Sequence, residues 1–391
     1  MAVYLIFVLV VPVFVVLLIV MLPVCRVRSA RKRSMRVKPS IVYGPIPIIN
    51  IKYNSRIDRS LGYRSDTVVY DIYGINKADD FDHVVRIFKN RLLHRLFIRA
   101  TAYFVFLWVL WRYDIFQFYF DGGYLALTPL KWIELPMLRL AGKKIIVSPY
   151  GSDVTMPSRI RSKYRWNQAL FWEESYPLPD EEGIRRNIEY FMKYADFIIV
   201  GGEFVHYLPR YDLWLHLVAV DLDEWKPVGD PGNILVKIVH ATNHRALCGT
   251  KYLIDVCNEL EREGHPVELA IVEKTDNAKA RRIYEQADII VDNLLMWHGM
   301  FAIEAMALGK PVLCHLREEL INDPNNPYAK DIPIVNTNPD NLKENLVRLI
   351  ADKNLRVELG KRGRRYVEKY HSSKYVGSQC DKIYRKLWFG E

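Results

Sequence analysis

The chain has 391 residues, half of them apolar, with 55 basic and 45 acidic side chains. That length accommodates two domains beyond any anchor, and the apolar share excludes a disordered chain. A net charge of +10 calls for an anionic partner; because the basic residues gather beside apolar segments and no nucleic-acid recognition motif occurs, membrane lipid is favoured over nucleic acid.

In chain order, the run from Tyr4 to Val24 carries no charge, and as a helix it is long enough to cross a hydrocarbon core. Arg26, Arg28, Arg31, Lys32, Arg33, Arg36 and Lys38 follow at once. The positive-inside rule then predicts a single-pass N-terminal transmembrane helix with residue 1 outside and the globular part cytosolic. A cleaved signal peptide is disfavoured, since no basic segment precedes the run and no small-residue cleavage site ends it. Residues 1–38 therefore read as transmembrane anchor and basic linker.

From 39 to 225, strands are predicted at Ser40–Gly44, Thr67–Asp71, Tyr113–Phe120, Lys144–Ser148 and Phe197–Val200. Helices are predicted over 80–111, 125–141 and 180–194. This alternation argues for an α/β domain with a doubly wound parallel sheet. The long helix sets Arg91, Arg95 and Arg99 on one face and then runs apolar from Ala102 to Trp111. A basic stripe beside aromatic bulk suits a headgroup boundary, so a second, monotopic membrane contact is expected over 102–111; a wholly buried core helix is the alternative. Gly151-Ser152-Asp153 follows a strand, where open α/β sheets bind ligands. Asp153 is therefore a candidate site residue; an Asx turn or helix cap is equally compatible.

Asp221 to Gly232 reads as an interdomain linker. A second alternating series occupies 226–370, with strands at Ile234–His240, Val267–Val272 and Asp288–Asp292 and an amphipathic helix ending near Glu263. A closing helix fills 371–391. Asp221-Leu-Asp223 matches a metal-binding pattern but sits in the linker, and the five cysteines and the scattered histidines lack ligand spacing, so no metal or cofactor is expected. Glu273-Lys274, after a strand, is a candidate contact for a nucleobase or phosphate, or a solvated loop.

Residues 297–313 carry the most chemistry. Gly299 opens a short helix, Glu304 lies inside it, Gly309 closes it, and a buried strand follows from Lys310. A glycine ahead of a helix lets an anion approach the unpaired amides of Gly299, Met300 and Phe301. A carboxylate one and a half turns on can hold a pair of ribose hydroxyls.

The segment Glu304-Ala-Met-Ala-Leu-Gly-Lys-Pro-Val312, with the strands upstream of it, resembles the donor half of GT-B glycosyltransferases, most closely the retaining family 4 group. The resemblance implies two Rossmann-like domains, a cytosolic nucleotide-sugar donor and no metal. It implies that Glu304 binds the ribose, that the amides of Gly299, Met300 and Phe301 cradle the diphosphate, and that the loop at Gly44 approaches the donor phosphates. Three positions depart from the family. Met296 stands where a glutamate usually contacts the donor sugar, and Asn243 and Cys248 stand where an arginine and a lysine usually hold the diphosphate. Arg245 or Lys251 could supply that charge from a shifted position. The expected function is a membrane-anchored, hexosyltransferase-like glycosyltransferase with a lipid-linked or other membrane-held acceptor. The alternative is a catalytically inactive subunit with protein partners in a glycan-assembly complex.

Overall fold

The computed structural model describes residues 2–73, 76–86, 91–160, 163 and 179–391, with the side chains of 2–8, 91–93, 95, 96 and 329 outside that set. Two compact units emerge. The first is drawn from Met1–Thr155, Asp180–Leu215 and Gly377–Glu391, the second from Met156–Pro179 and His216–Val376.

The first unit holds a parallel sheet of β1 (Ser40–Tyr43), β2 (Arg64–Val69), β3 (His83–Val84), β4 (Ile115–Phe118), β5 (Lys144–Val147), β6 (Phe197–Val200) and β7 (Leu213–Trp214), in the order β3-β2-β1-β4-β5-β6-β7. The second holds β8 (Val236–Ala241), β9 (Val267–Val272), β10 (Ile289–Val291), β11 (Val312–Cys314) and β12 (Val335–Asn336), ordered β12-β11-β10-β8-β9 and again parallel. Ile41, Ile115, Phe116, Ile145 and Ile198 are fully buried, as are Ile238, Ile289 and Leu313. Both faces of each sheet are covered, which is why these strands are continuous apolar runs.

Helix α1 (Ala2–Ser34) is, from Leu9 onward, long and apolar enough to cross a membrane. It lies along α3 (Arg91–Arg112). The expected helix over 80–111 starts later. His83 and Val84 instead extend the sheet beside Val68 and Val69. Asp82 holds them there: its carboxylate accepts the Thr67 amide and hydroxyl at 2.9 and 3.0 Å, and the Asp82 amide donates back to Thr67 Oγ1 at 2.7 Å. Of the expected basic stripe, the side chains of Arg91 and Arg95 lie outside the described residues, and Arg99 is exposed. The helix expected over 125–141 is shortened to Glu134–Leu140. The Glu134 carboxylate accepts the amides of Tyr124 and Leu125, both at 2.7 Å, and so ties the preceding turn closed.

The last helix, Ser373–Phe389, belongs to the first unit from Gly377 onward. Its Tyr384 hydroxyl sits 3.0 Å from Tyr43 Oη, accepts from Gln117 Nε2 at 2.7 Å and donates to Asp58 Oδ1 at 3.1 Å. Burial pushes the Asp58 carboxyl up to about 7, against hydrogen bonds from Tyr43, Ser65 and Tyr384 that favour its charge. Removing one hydroxyl leaves Gln117 and Asp58 short of a partner in a dry site. Tyr384→Phe should therefore cost about 1–3 kcal/mol of unfolding free energy, read from denaturant titration.

Candidate functional site

The loops leaving β8, β9 and β10 gather at the carboxyl edge of the second sheet. Gly249 lies close to Leu294 and Leu295; at φ +77° it is in the left-handed region, and a Cβ there would stand 3.1 Å from both side chains. The Leu294 amide donates to Cys248 O at 3.0 Å, binding the β8 and β10 loops together. The Lys274 amide donates to Asn243 Oδ1 at 3.0 Å and adds the β9 loop.

Helix Met300–Ala307 starts in this gathering. Its cap is Gly299, and no side chain caps the first turn. The Gly299 amide donates to Asp292 Oδ2 at 2.8 Å, so that donor is already engaged. The amides of Met300 and Phe301 lack intrahelical acceptors by their position in the first turn and stand at the positive end of the helix dipole. A Cβ on Gly299 would find Asn293 and Asp292 no nearer than 3.8 Å, so the glycine leaves approach space beside them.

Glu304 lies on the buried side of this helix, 6% exposed, and among the described residues no donor meets its carboxylate. Burial first, then Glu224 and Asp292, push it up to about 8. Asp292 is raised to about 6 by burial, against the Gly299 amide. Tyr284 packs on Phe301 with ring centres 4.6 Å apart, and its hydroxyl is raised by burial and by Glu304 and Asp292. Beside the cap, His298 clusters with His216 at 5.3 Å, and burial keeps both neutral. Sequence reading passed over Tyr284, Asp292 and His298. The flanks of Gly299 were the available signal for the last two.

Arg245 and Glu273 are brought together. The guanidinium grips the carboxylate through Nε at 2.7 Å and Nη2 at 2.8 Å, on the surface of the β8 and β9 loops. Lys251 faces along its own helix to Asp255 at 2.5 Å. Cys248 is a buried thiol, raised to about 12 by burial and bonded by Thr242 Oγ1 at 3.1 Å. The Met296 carbonyl takes a weak bond from Cys314 Sγ at 3.7 Å. Asp221 closes a turn with the amides of Asp223 and Glu224.

In the first unit, Gly44 follows β1 at φ +146°, and a Cβ there would stand 2.0 Å from Val68 O, so close packing alone demands glycine. Asp153 is buried, its carboxylate taking the amides of Phe120 at 3.1 Å, Tyr150 at 3.0 Å and Gly151 at 2.9 Å. Burial and then Asp121 raise it to about 7. It holds the ends of β4 and β5 in register. Asp121, bonded by the Tyr150 hydroxyl, is the neighbouring carboxylate nearer solvent, and sequence reading missed it.

No family model and no curated protein matches the chain. Solved structures do. Sucrose-phosphate synthase from Thermosynechococcus elongatus superposes with a TM-score of 0.63 at 13% identity, over 90% of this chain and 100% of that one. The Anabaena protein HepE, in complex with UDP, gives 0.57 at 11% identity over 88% and 99%. An alpha-glucosyltransferase in complex with UDP-glucose and DNA gives 0.55 at 10% over 89% and 100%. The chain has the GT-B fold. Its two parallel α/β sheets match those of these structures at 10–13% sequence identity.

Glu304 gives the site a pH signature. Its carboxyl is raised in the folded state from about 4.5 to about 8, so the native chain binds the extra proton between those values and loses stability as pH rises through them. Glu304→Gln removes that loss. The gain in melting temperature of Glu304→Gln over the unsubstituted chain, both without ligand, should grow from pH 5 to pH 8; a constant gap would contradict the assignment.

Proposed function

We propose that this chain is a glycosyltransferase held at a membrane, which passes a sugar from a cytosolic nucleotide-sugar to a lipid-linked or other membrane-held acceptor. One observation carries the reading: a buried carboxylate, Glu304, that meets no donor among the described residues, inside a helix whose uncapped first turn offers amides to an anion. Phosphates seat on the amides of Met300 and Phe301, and the ribose hydroxyls supply the donors that Glu304 lacks. The likeness to structures holding UDP and UDP-glucose supports a nucleotide-sugar as the ligand. The transfer is retaining and metal-free in this reading, with the helix dipole and Arg245 stabilising the departing diphosphate. Gly44 and the Asp121–Tyr150–Asp153 group belong to the acceptor-bearing unit; Asp153 acts there as a positioning residue.

A second reading has support of its own. The β8 loop supplies one cation, Arg245, and Glu273 already holds it, while Asn243 and Cys248 are engaged within the loop. A non-catalytic subunit of a glycan-assembly complex would tolerate that arrangement. α1 supports membrane attachment in either case, whether it crosses with residue 1 outside or lies along the surface.

Release of nucleoside diphosphate from a panel of nucleotide-sugars, with membrane extract as acceptor, separates the readings. Glu304→Ala should weaken nucleoside diphosphate binding by about 1.5–3 kcal/mol, the worth of a charge-assisted bond. Arg245→Ala should weaken it similarly, and Cys248→Lys should leave it equal or tighter. Calorimetric affinities indifferent to all three, with no release from any donor, favour the inactive subunit.

A further inference from the structure

Helix α1 is apolar on two opposite sides. The inward side docks on α3. Phe14 packs against Tyr103 and Phe106, with ring centres 4.8 and 6.2 Å apart. Further along, Cys25 Sγ donates to Leu110 O at 3.7 Å, Arg28 Nη1 to Trp111 O at 3.2 Å, and Lys32 Nζ to Asp114 Oδ2 at 2.5 Å. The partners advance together, so the helices run in the same direction, in contact from Phe14 to Lys32. The outward side presents Leu9, Val13, Val16, Val20 and Val27, each more than half exposed, at helical spacing. Beside it α3 exposes Phe104, Trp108 and Trp111. An ordinary surface helix turns a polar side outward; this one does not.

The docking limits what α1 can do in a bilayer. The stretch from Phe14 to Lys32 is held against α3, whose Ala102, Val109 and Leu110 are fully buried in the unit. The uncharged run ends at Val24, so a span of about 30 Å through it takes in the docked stretch from Phe14. Crossing would carry α3, with Arg99, into the lipid. We infer that α1 does not cross the membrane: α1 and α3 form one surface that beds into the boundary of an anionic leaflet, leaving both ends of the chain on the same side. Charge complementarity selects the anionic leaflet. Arg31 is exposed on the helical face that carries Val20 and Val27, and the Arg28 guanidinium sits 4.9 Å over the exposed Trp111 ring, at the level where headgroups would lie.

This rests on the reading that the chain works at a membrane, and its test does not depend on sugar transfer. The full-length chain carrying Ala2→Cys or Glu358→Cys is expressed and taken in inverted inner-membrane vesicles, then treated with a membrane-impermeant maleimide before and after detergent. Both cysteines should label fully before detergent. Labelling of Ala2→Cys only after detergent would show crossing and overturn the inference. In parallel, the chain carrying Val16→Glu and Val20→Glu is tested on vesicles with and without phosphatidylglycerol. Both sites are exposed, so circular dichroism should be unchanged, while affinity for anionic vesicles should fall roughly tenfold or more. Unchanged vesicle affinity would overturn the proposal. So would a lipid-independent dimer that dissociates on these substitutions, since a second copy would then cover the surface.

Discussion

The hydrogen bond from the Gly299 amide to Asp292 organises the second unit's site. It joins the end of β10 to the start of the next helix and fixes where that helix presents its open first turn. The carboxylate that makes it is buried, and two further acidic groups, Glu304 and Tyr284, lie within its electrostatic reach. Ionising Glu304 would therefore set a second buried negative charge beside Asp292. Protonation of Glu304 relieves the conflict in the empty site. Hydroxyl donors from a sugar would relieve it differently, by stabilising the ionised form, so binding there and the release of a proton are linked.

The cation supply is the weak part of this arrangement. A diphosphate carries more charge than two amides offset, and the cation of the β8 loop, Arg245, is bound through two nitrogens to Glu273 on the surface. Exposed ion pairs of this kind contribute little and exchange partners readily. Glu273 can thus hold the guanidinium extended while the site is empty and yield it to phosphate oxygens. Lys251 is likewise exposed, paired along its own helix with Asp255.

Much of the architecture was legible because parallel sheets bury both faces. Runs such as Phe197–Val200 and Ile289–Val291 have no polar alternation to confuse them with surface strands. Gly299 and Glu304 were legible because a glycine ahead of an alanine-rich helix is a local signal. What escaped depended on partners distant in sequence. His83–Val84 becomes a strand through the Asp82–Thr67 bonds, and 125–141 is cut short by the reach of Glu134 to two amides. Asp153 read as a chemical group from its place after a strand, yet three backbone amides occupy it, and Asp121 beside it left no motif. The two apolar sides of α1 could be counted from the sequence, but nothing local said that one of them meets Tyr103 and Phe106.

That docking also sets which end of the first unit meets lipid. α3 leads into β4 through Asp114, so it runs antiparallel to the strands and its amino end lies toward their carboxyl edge. α1 follows α3 in the same direction, and its exposed apolar residues, Leu9 to Val20, fall at that end. The other end of α1 is fastened at the amino edge, where Lys32 and Lys143 share buried Asp114 and the Ser40 amide at the start of β1 donates to it at 3.0 Å. Lys143 and Lys32 hold this carboxyl below its usual range, although burial alone would raise it. The lipid-facing surface is thereby joined rigidly to the sheet, with its apolar end on the side where Gly44, Asp121 and Asp153 stand. An acceptor carried by lipid would approach this unit at the edge of the sheet where parallel α/β folds place their chemistry.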